Sequence, residues 1–118
     1  MKPIFLYGAV IALAACTLLL AQQKPTPKRI NRAIELRPDM PEAHFNLGTA
    51  LGVQGQRSEA KQQFLTALRL NPDYYEAHFN LAQTLAEEGN ATEARPHYQR
   101  AAESPDPKLR QAALEALR

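Results

Sequence analysis

Cysteine is almost missing from this chain, tryptophan is missing altogether, and neither sign of charge prevails. The single cysteine, Cys16, rules out an internal disulfide and a metal site of the paired-cysteine kind. Fourteen basic residues against twelve acidic ones leave a net charge of +2. Proteins that neutralise nucleic-acid phosphates present a basic stripe, so this balance argues against nucleic acid as a partner. Catalytic constellations are scarce too. His44, His78 and His97 show neither His-x-x-His nor Glu-x-x-His spacing, and no metal site is expected of them. The five glycines form no phosphate-cradling loop. Ser58 and Ser104 have no base placed beside them. The acidic stretch "AEEGN" at 86–90 reads as a solvated helix end rather than an acid pair. With 118 residues there is room for one small domain, and the expectation is a non-catalytic one without a cofactor.

What the chain does have begins with an apolar run. Residues 4–21, "IFLYGAVIALAACTLLLA", carry no charge; Lys2 precedes them and "QQKPTPKR" follows. A basic start and an apolar middle are the marks of a secretory signal peptide. The length also stands at the lower limit for a membrane-spanning helix, about 17 to 20 residues. No polar stripe of period 3.6 runs along it, so it does not read as a helix of the folded domain. Residues 1–23 are therefore expected to be a signal peptide or a retained membrane anchor. Within them "LAAC", at 13–16, resembles the lipobox of bacterial lipoproteins, which implies lipidation at Cys16. The apolar "TLLLA" that follows speaks against it, and cleavage after Ala21 is the alternative. If the segment stays as an anchor, Lys24, Lys28 and Arg29 favour a cytoplasmic C-terminus. The expected location is the bacterial periplasm or cell envelope. Pro25 and Pro27 make residues 24–28 a short, stiff linker, with organised sequence from about Arg29.

From there the chain repeats itself. "EAHFNL" occurs at 42–47 and again, unchanged, at 76–81. Aligning 41–74 with 75–108 also pairs Leu51 with Leu85, Gly55 with Gly89, Glu59 with Glu93, Ala60 with Ala94 and Ala67 with Ala101. The register extends upstream for half a period, with Ile30, Ala33, Leu36 and Pro38 matching Phe64, Ala67, Leu70 and Pro72. A fixed period of this size marks a solenoid. Each period reads as helix–turn–helix. Ala43, Leu47, Ala50 and Leu51 make one helical stripe; Gly55 breaks it. Ala60, Phe64, Ala67 and Leu68 make a second, which Pro72 ends. The small residues Gly48, Ala60 and Ala67 allow two helices to approach closely, and Phe64 fills the space between pairs. The second period has Ala82, Ala94, Ala101 and Tyr98 in these places. Pro96 lies inside its second helix, which is expected to start late, capped by Thr92, or to bend. Residues 108–118 put Leu109, Ala112, Ala113 and Leu117 on one face of a capping helix.

Leu47-Gly48, Leu51, Ala60, Phe64, Ala67 and Pro72, then Leu81-Ala82, Leu85, Ala94, Tyr98 and Ala101, resemble the tetratricopeptide repeat. His44 and His78 stand where that family has tryptophan. The resemblance implies an all-α fold, a short solenoid: a half repeat at 29–40, full repeats at 41–74 and 75–104, and a cap at 105–118. It also implies a concave groove that holds peptide segments of partner proteins. By position the groove takes Glu42, Phe45, Asn46, Thr49, Gly52 and Val53 from the first repeat, and Glu76, Phe79, Asn80, Gln83, Ala86 and Glu87 from the second. Asn46 and Asn80 carry both donors and an acceptor for an extended backbone. Phe45 and Phe79 are either apolar anchors or half-buried packing between helices. Three groove carboxylates with no Lys or Arg among these positions point to a neutral or basic ligand and away from acidic chaperone tails. Lys108 or Arg110, at the cap, would be the only cations in reach. The half repeat lacks its partner helix, and an end-to-end homodimer through that open end is the alternative use of the fold.

Overall fold

The computed structural model describes residues 26–118. The apolar run at 4–21, Cys16 and the start of the linker lie outside the described residues. Among the described residues the elements are six helices: α1 (Pro27–Leu36), α2 (Pro41–Val53), α3 (Arg57–Leu70), α4 (Tyr75–Glu87), α5 (Ala91–Ala101) and α6 (Pro107–Ala116). They pack in chain order as a solenoid. The α2–α3 and α4–α5 hairpins are the two repeats, α1 lies against α2, and α6 lies against α5.

The helix boundaries follow from local chemistry. α1 begins earlier than the linker reading expects and takes in Pro27 and Lys28. Thr26 caps it by accepting a hydrogen bond from the Arg29 backbone N–H at 3.4 Å. Pro27 then occupies the first helical position, where its missing N–H has no partner to lose and its fixed φ already suits a helix. α2 and α6 also open on proline. The first helix of each repeat ends the same way. Gly55 has φ +82° and Gly89 φ +85°. At the first of these ends, Gly55 N–H donates to the Gly52 carbonyl and Gln56 N–H to Leu51; Gly89 and Asn90 donate to Ala86 and Leu85 at the second. These are paired Schellman bonds, and the left-handed residue they need is cheap only as glycine.

The core is a line of small residues with large ones between them. Ala60, Phe64, Ala67, Leu68, Ala77, Leu81, Ala82, Leu85, Ala94 and Tyr98 form one buried cluster. The α2–α3 hairpin closes so tightly that a Cβ on Gly48 would stand 2.7 Å from Phe64 Cε1. Phe45 packs against the cluster and stacks obliquely on Tyr74, ring centres 4.9 Å apart. Phe79 meets Tyr98 edge-on at 5.7 Å.

Pro96 acts differently from the expectation. α5 starts at Ala91, in register with Arg57 of α3, with Asn90 at the cap position and Thr92 inside the helix. Proline is therefore tolerated without a late start. The helix instead stops at Ala101, three positions before the register of Leu70. Ser104, buried, then holds the turn: its Oγ accepts from Asp106 N–H at 3.1 Å and its carbonyl from Arg110 Nη1 at 3.2 Å. Asp106 caps α6, accepting from Lys108 N–H at 3.0 Å. Ala113 is fully buried and Leu117 packs on the core, as the cap reading expects.

Candidate functional site: the interhelical hollow and its flanks

The first helices of the two repeats run side by side and leave a hollow of about 330 Å³. Thr49, Gly52 and Val53 of α2 line one wall; Asn80, Gln83, Thr84 and Glu87 of α4 line the other. Phe64 lines it from α3, together with Arg57. A second hollow of about 550 Å³ lies on the other side of α2. Pro27 and Ile30 of α1 face Asn46, Thr49, Ala50, Val53 and Gln54 there. Thr49 and Val53 belong to both, so the outward stripe of α2 is a ridge between two depressions. Helical spacing of three and four residues puts Asn46, Thr49 and Val53 along that ridge.

The structure brings six expected residues into one hollow, Thr49, Gly52, Val53, Asn80, Gln83 and Glu87, and sets Asn46 in the adjoining one. Asn80 Nδ2 donates to Thr49 Oγ1 at 3.4 Å, a long bond that ties the walls loosely. The Thr49 and Thr84 hydroxyls donate back to the Phe45 and Asn80 carbonyls, so toward a further partner each can only accept. Glu42 lies farther up, in a depression of about 310 Å³ shared with Arg29, Met40 and Asn46. Glu76 is exposed outside these hollows. Phe45 and Phe79 are half-buried, with rings engaged by Tyr74, Phe64 and Tyr98. Tyr74, beside Phe45, has its hydroxyl pKa raised by burial and then by Glu42 and Glu76.

The expectation of a groove without Lys or Arg needs correction. Arg57 Nε meets Glu87 Oε2 at 3.2 Å, and Arg29 lines the depression around Glu42. Neither arginine is on a first helix, so a count restricted to first-helix positions passes over both. Arg57 opens α3 and crosses to the next repeat. Both partners of this pair are more than half exposed, and such a pair adds little stability. Its effect is to neutralise the lower end of the groove.

Sequence reasoning also missed a histidine pair on the opposite side of the second repeat. His78 Nδ1 and His97 Nδ1 are 3.0 Å apart, with ring centres at 5.3 Å and ring planes 29° apart, so the rings meet edge to edge through these nitrogens. His78 Nε2 donates to the Pro72 carbonyl at 2.9 Å. The first repeat makes the same arrangement with His44, Gln63 and the Pro38 carbonyl. The signal was present: His97 follows His78 by the spacing that separates Gln63 from His44. Among the described residues no group of three or more His, Cys, Asp or Glu side chains is placed to hold a metal ion.

The packing, the glycine closures and the hollow between first helices together define a helical-repeat solenoid. A family model for the tetratricopeptide repeat matches residues 45–108, more than half of the chain, and the chain belongs to that family. YrrB, described as a tetratricopeptide repeat protein with an unusual peptide-binding site, is 29% identical with a TM-score of 0.68. The match covers 83% of this chain and 51% of YrrB, so the chain spans about half of that protein's length. A point mutant of MamA is 28% identical over 80% of this chain and 70% of its own, with a TM-score of 0.63. The type III secretion chaperone SycD of Yersinia enterocolitica, in complex with a peptide of the translocator YopD, has a TM-score of 0.74. It covers 94% of this chain and 88% of its own at 17% identity, a likeness of fold. No curated protein gives a significant sequence match.

Proposed function

We propose that this protein is a non-catalytic adaptor or assembly factor that binds an extended peptide segment of a partner protein across α2 and α4. The observation that carries this is the convergence of Asn46, Thr49, Asn80 and Gln83 on adjoining hollows beside apolar surface from Val53 and Phe64. Amides and hydroxyls bond a peptide backbone in either direction, and the apolar floor takes alternate side chains. Glu42 and Glu76 still favour a neutral or basic segment, while the Arg57–Glu87 pair makes the lower groove indifferent to charge. YrrB, described as having a peptide-binding site, supports the class of ligand. We place the protein at the bacterial cell envelope, exported or anchored through residues 1–23, with lipidation at Cys16 as the alternative to cleavage or retention. A second use, self-association through the N-terminal end, is favoured by the exposure of Leu36 (68%) on α1.

Peptides selected from a random displayed library test the groove. Binding measured by calorimetry should weaken at least about tenfold in an Asn46→Ala/Asn80→Ala variant of unchanged helicity, the loss of about 1.4 kcal/mol expected for one to two hydrogen bonds. Equal affinity for both proteins would remove the groove from consideration. Sedimentation at rising concentration then tests self-association.

A further inference from the structure

His78 and His97 have only one way to be neutral together. The Pro72 carbonyl can only accept, so His78 must carry its proton on Nε2. Its Nδ1 is then bare and accepts. His97 must therefore carry its proton on Nδ1 to donate across the 3.0 Å contact, which leaves His97 Nε2 bare. His97 also lines a hollow of about 340 Å³ with Ser58, Lys61, Gln62, Leu65 and Glu93.

We propose that the His78–His97 pair is an acid-operated latch in the second repeat: it joins α4 to α5 while the rings are neutral and parts them when both are protonated. The first added proton goes to His97 Nε2, and the bond between the two Nδ1 atoms survives. The second has only His78 Nδ1 to go to. Both Nδ1 atoms then carry hydrogen across 3.0 Å, the bond is lost, and two like charges face each other. The pair titrates as a unit, with the opening tied to the second proton.

The surroundings oppose charging. Burial pushes both imidazoles below their ordinary pKa. For His97 the neighbouring His78 adds to this and Glu93 works against it. For His78 the Pro72 carbonyl, Asp73 and Glu103 favour the cation, while Arg100 disfavours it. Arg100 is itself paired with both Asp73 and Glu103, so guanidinium already meets their charge. From α3, Lys61 faces the same hollow as His97 and is paired with Glu88 at 2.5 Å. From α6, Arg110 is held at the Ser104 carbonyl.

The sign follows from the lowered folded values. Above the ordinary histidine pKa of roughly 6.5 neither state is protonated and stability is intact. Below it the unfolded chain binds protons more readily than the folded one, so stability falls as pH falls towards the lower folded values. The first repeat has no such device, because the Gln63 amide never takes a proton at these pH values. Opening α4 from α5 would move the wall carrying Asn80 and Gln83; that consequence rests on the groove reading, whereas the latch itself does not.

Thermal unfolding of the protein and its His97→Gln variant at about pH 7.5 and about pH 5 tests it. The wild type should lose about 4–8 °C more than the variant over that interval. Hydrogen exchange at the lower pH should show lost protection in α4, α5 and α6 and retained protection in α2 and α3. Gln63→His supplies an independent arm, since a second pair in the first repeat should steepen the pH dependence. Equal losses in wild type and His97→Gln, or no steepening with Gln63→His, overturn the latch. Failure of the groove would show separately, as unchanged peptide affinity of the Asn46→Ala/Asn80→Ala variant at about pH 7.5, where both rings are neutral.

Discussion

In the first repeat Gly48 lies against Phe64 and His44 faces Gln63; in the second the same positions hold Ala82, Tyr98, His78 and His97. One frame thus carries two fillings. Where the first repeat brings a phenylalanine so close that no Cβ fits beside it, the second has an alanine in the same buried cluster as a tyrosine. Where the first ties its helices with an uncharged amide, the second ties them with a group that can be charged. The period specifies sizes and spacings, while each repeat settles locally how its two helices are held. It also separates the hairpin ends: α3 continues to Leu70, whereas α5, with Pro96 in its second turn, stops at Ala101.

The largest effect is expected at the rings. Phe64 is 2% exposed and touches Phe45 as well as the cluster. Phe64→Ala should cost about 3–5 kcal/mol, a large part of the ~5–15 kcal/mol that holds a small domain together. Tyr98 is 9% exposed and has the short α5 and the cap behind it. Tyr98→Ala should cost less than Phe64→Ala. Chemical denaturation of the two variants measures the order, and the reverse order would show that the core is centred on the second repeat.

Next comes the proline. Pro96 falls where the first repeat has Gln62. Pro96→Gln restores the N–H that would donate to the Thr92 carbonyl and removes the ring from that carbonyl, worth ~3 kcal/mol in a helix interior. The freer unfolded chain takes back about 0.4–1 kcal/mol. A net gain of about 2 kcal/mol should appear as a raised denaturation midpoint. No gain would mean that α5 is already shaped around the proline. Gly48→Ala sets a smaller pair of effects against each other. The alanine gains about 1 kcal/mol in helix propensity, but Phe64, buried and wedged, must shift to admit it, at about 1–3 kcal/mol. A net loss of about 1 kcal/mol is expected in the same assay, while Ala82→Gly should cost about as much for the opposite reason, a more flexible backbone and a lost buried methyl.

Much of this was legible in advance, because a repeat supplies its own control. Two copies of one pattern at 34 positions marked the scaffold, with Ala60, Ala67, Ala94 and Ala101 expected where helices approach closely, and all four are buried; the groove positions came from the family resemblance. Two of the pieces that escaped lie across elements, and the third is a local cap. The Arg57–Glu87 contact joins the second helix of one repeat to the first helix of the next, and nothing within one period requires it. The partner of His78 sits on a different helix, so no short spacing displays it. The start of α1 turned on Thr26, a single capping hydroxyl that converts a proline from linker residue to first helical residue.

The Arg57–Glu87 pair gives the smallest expected effect and the sharpest test of what the asymmetry is for. The second repeat has Ala91 where the first has Arg57. Arg57→Ala therefore makes the first repeat like the second. Both partners are exposed, so stability should change by at most about 1 kcal/mol, and less in high salt. The groove would respond more. Without Arg57, Glu87 is unpaired beside Asn80 and Gln83. Selected peptides bearing Lys or Arg at the α4 end should then bind more tightly at low salt, and neutral ones should not change. If basic and neutral peptides respond alike, the arginine merely decorates the surface, and the ligand's charge is read higher up, where Arg29 and Glu42 share the depression around Asn46.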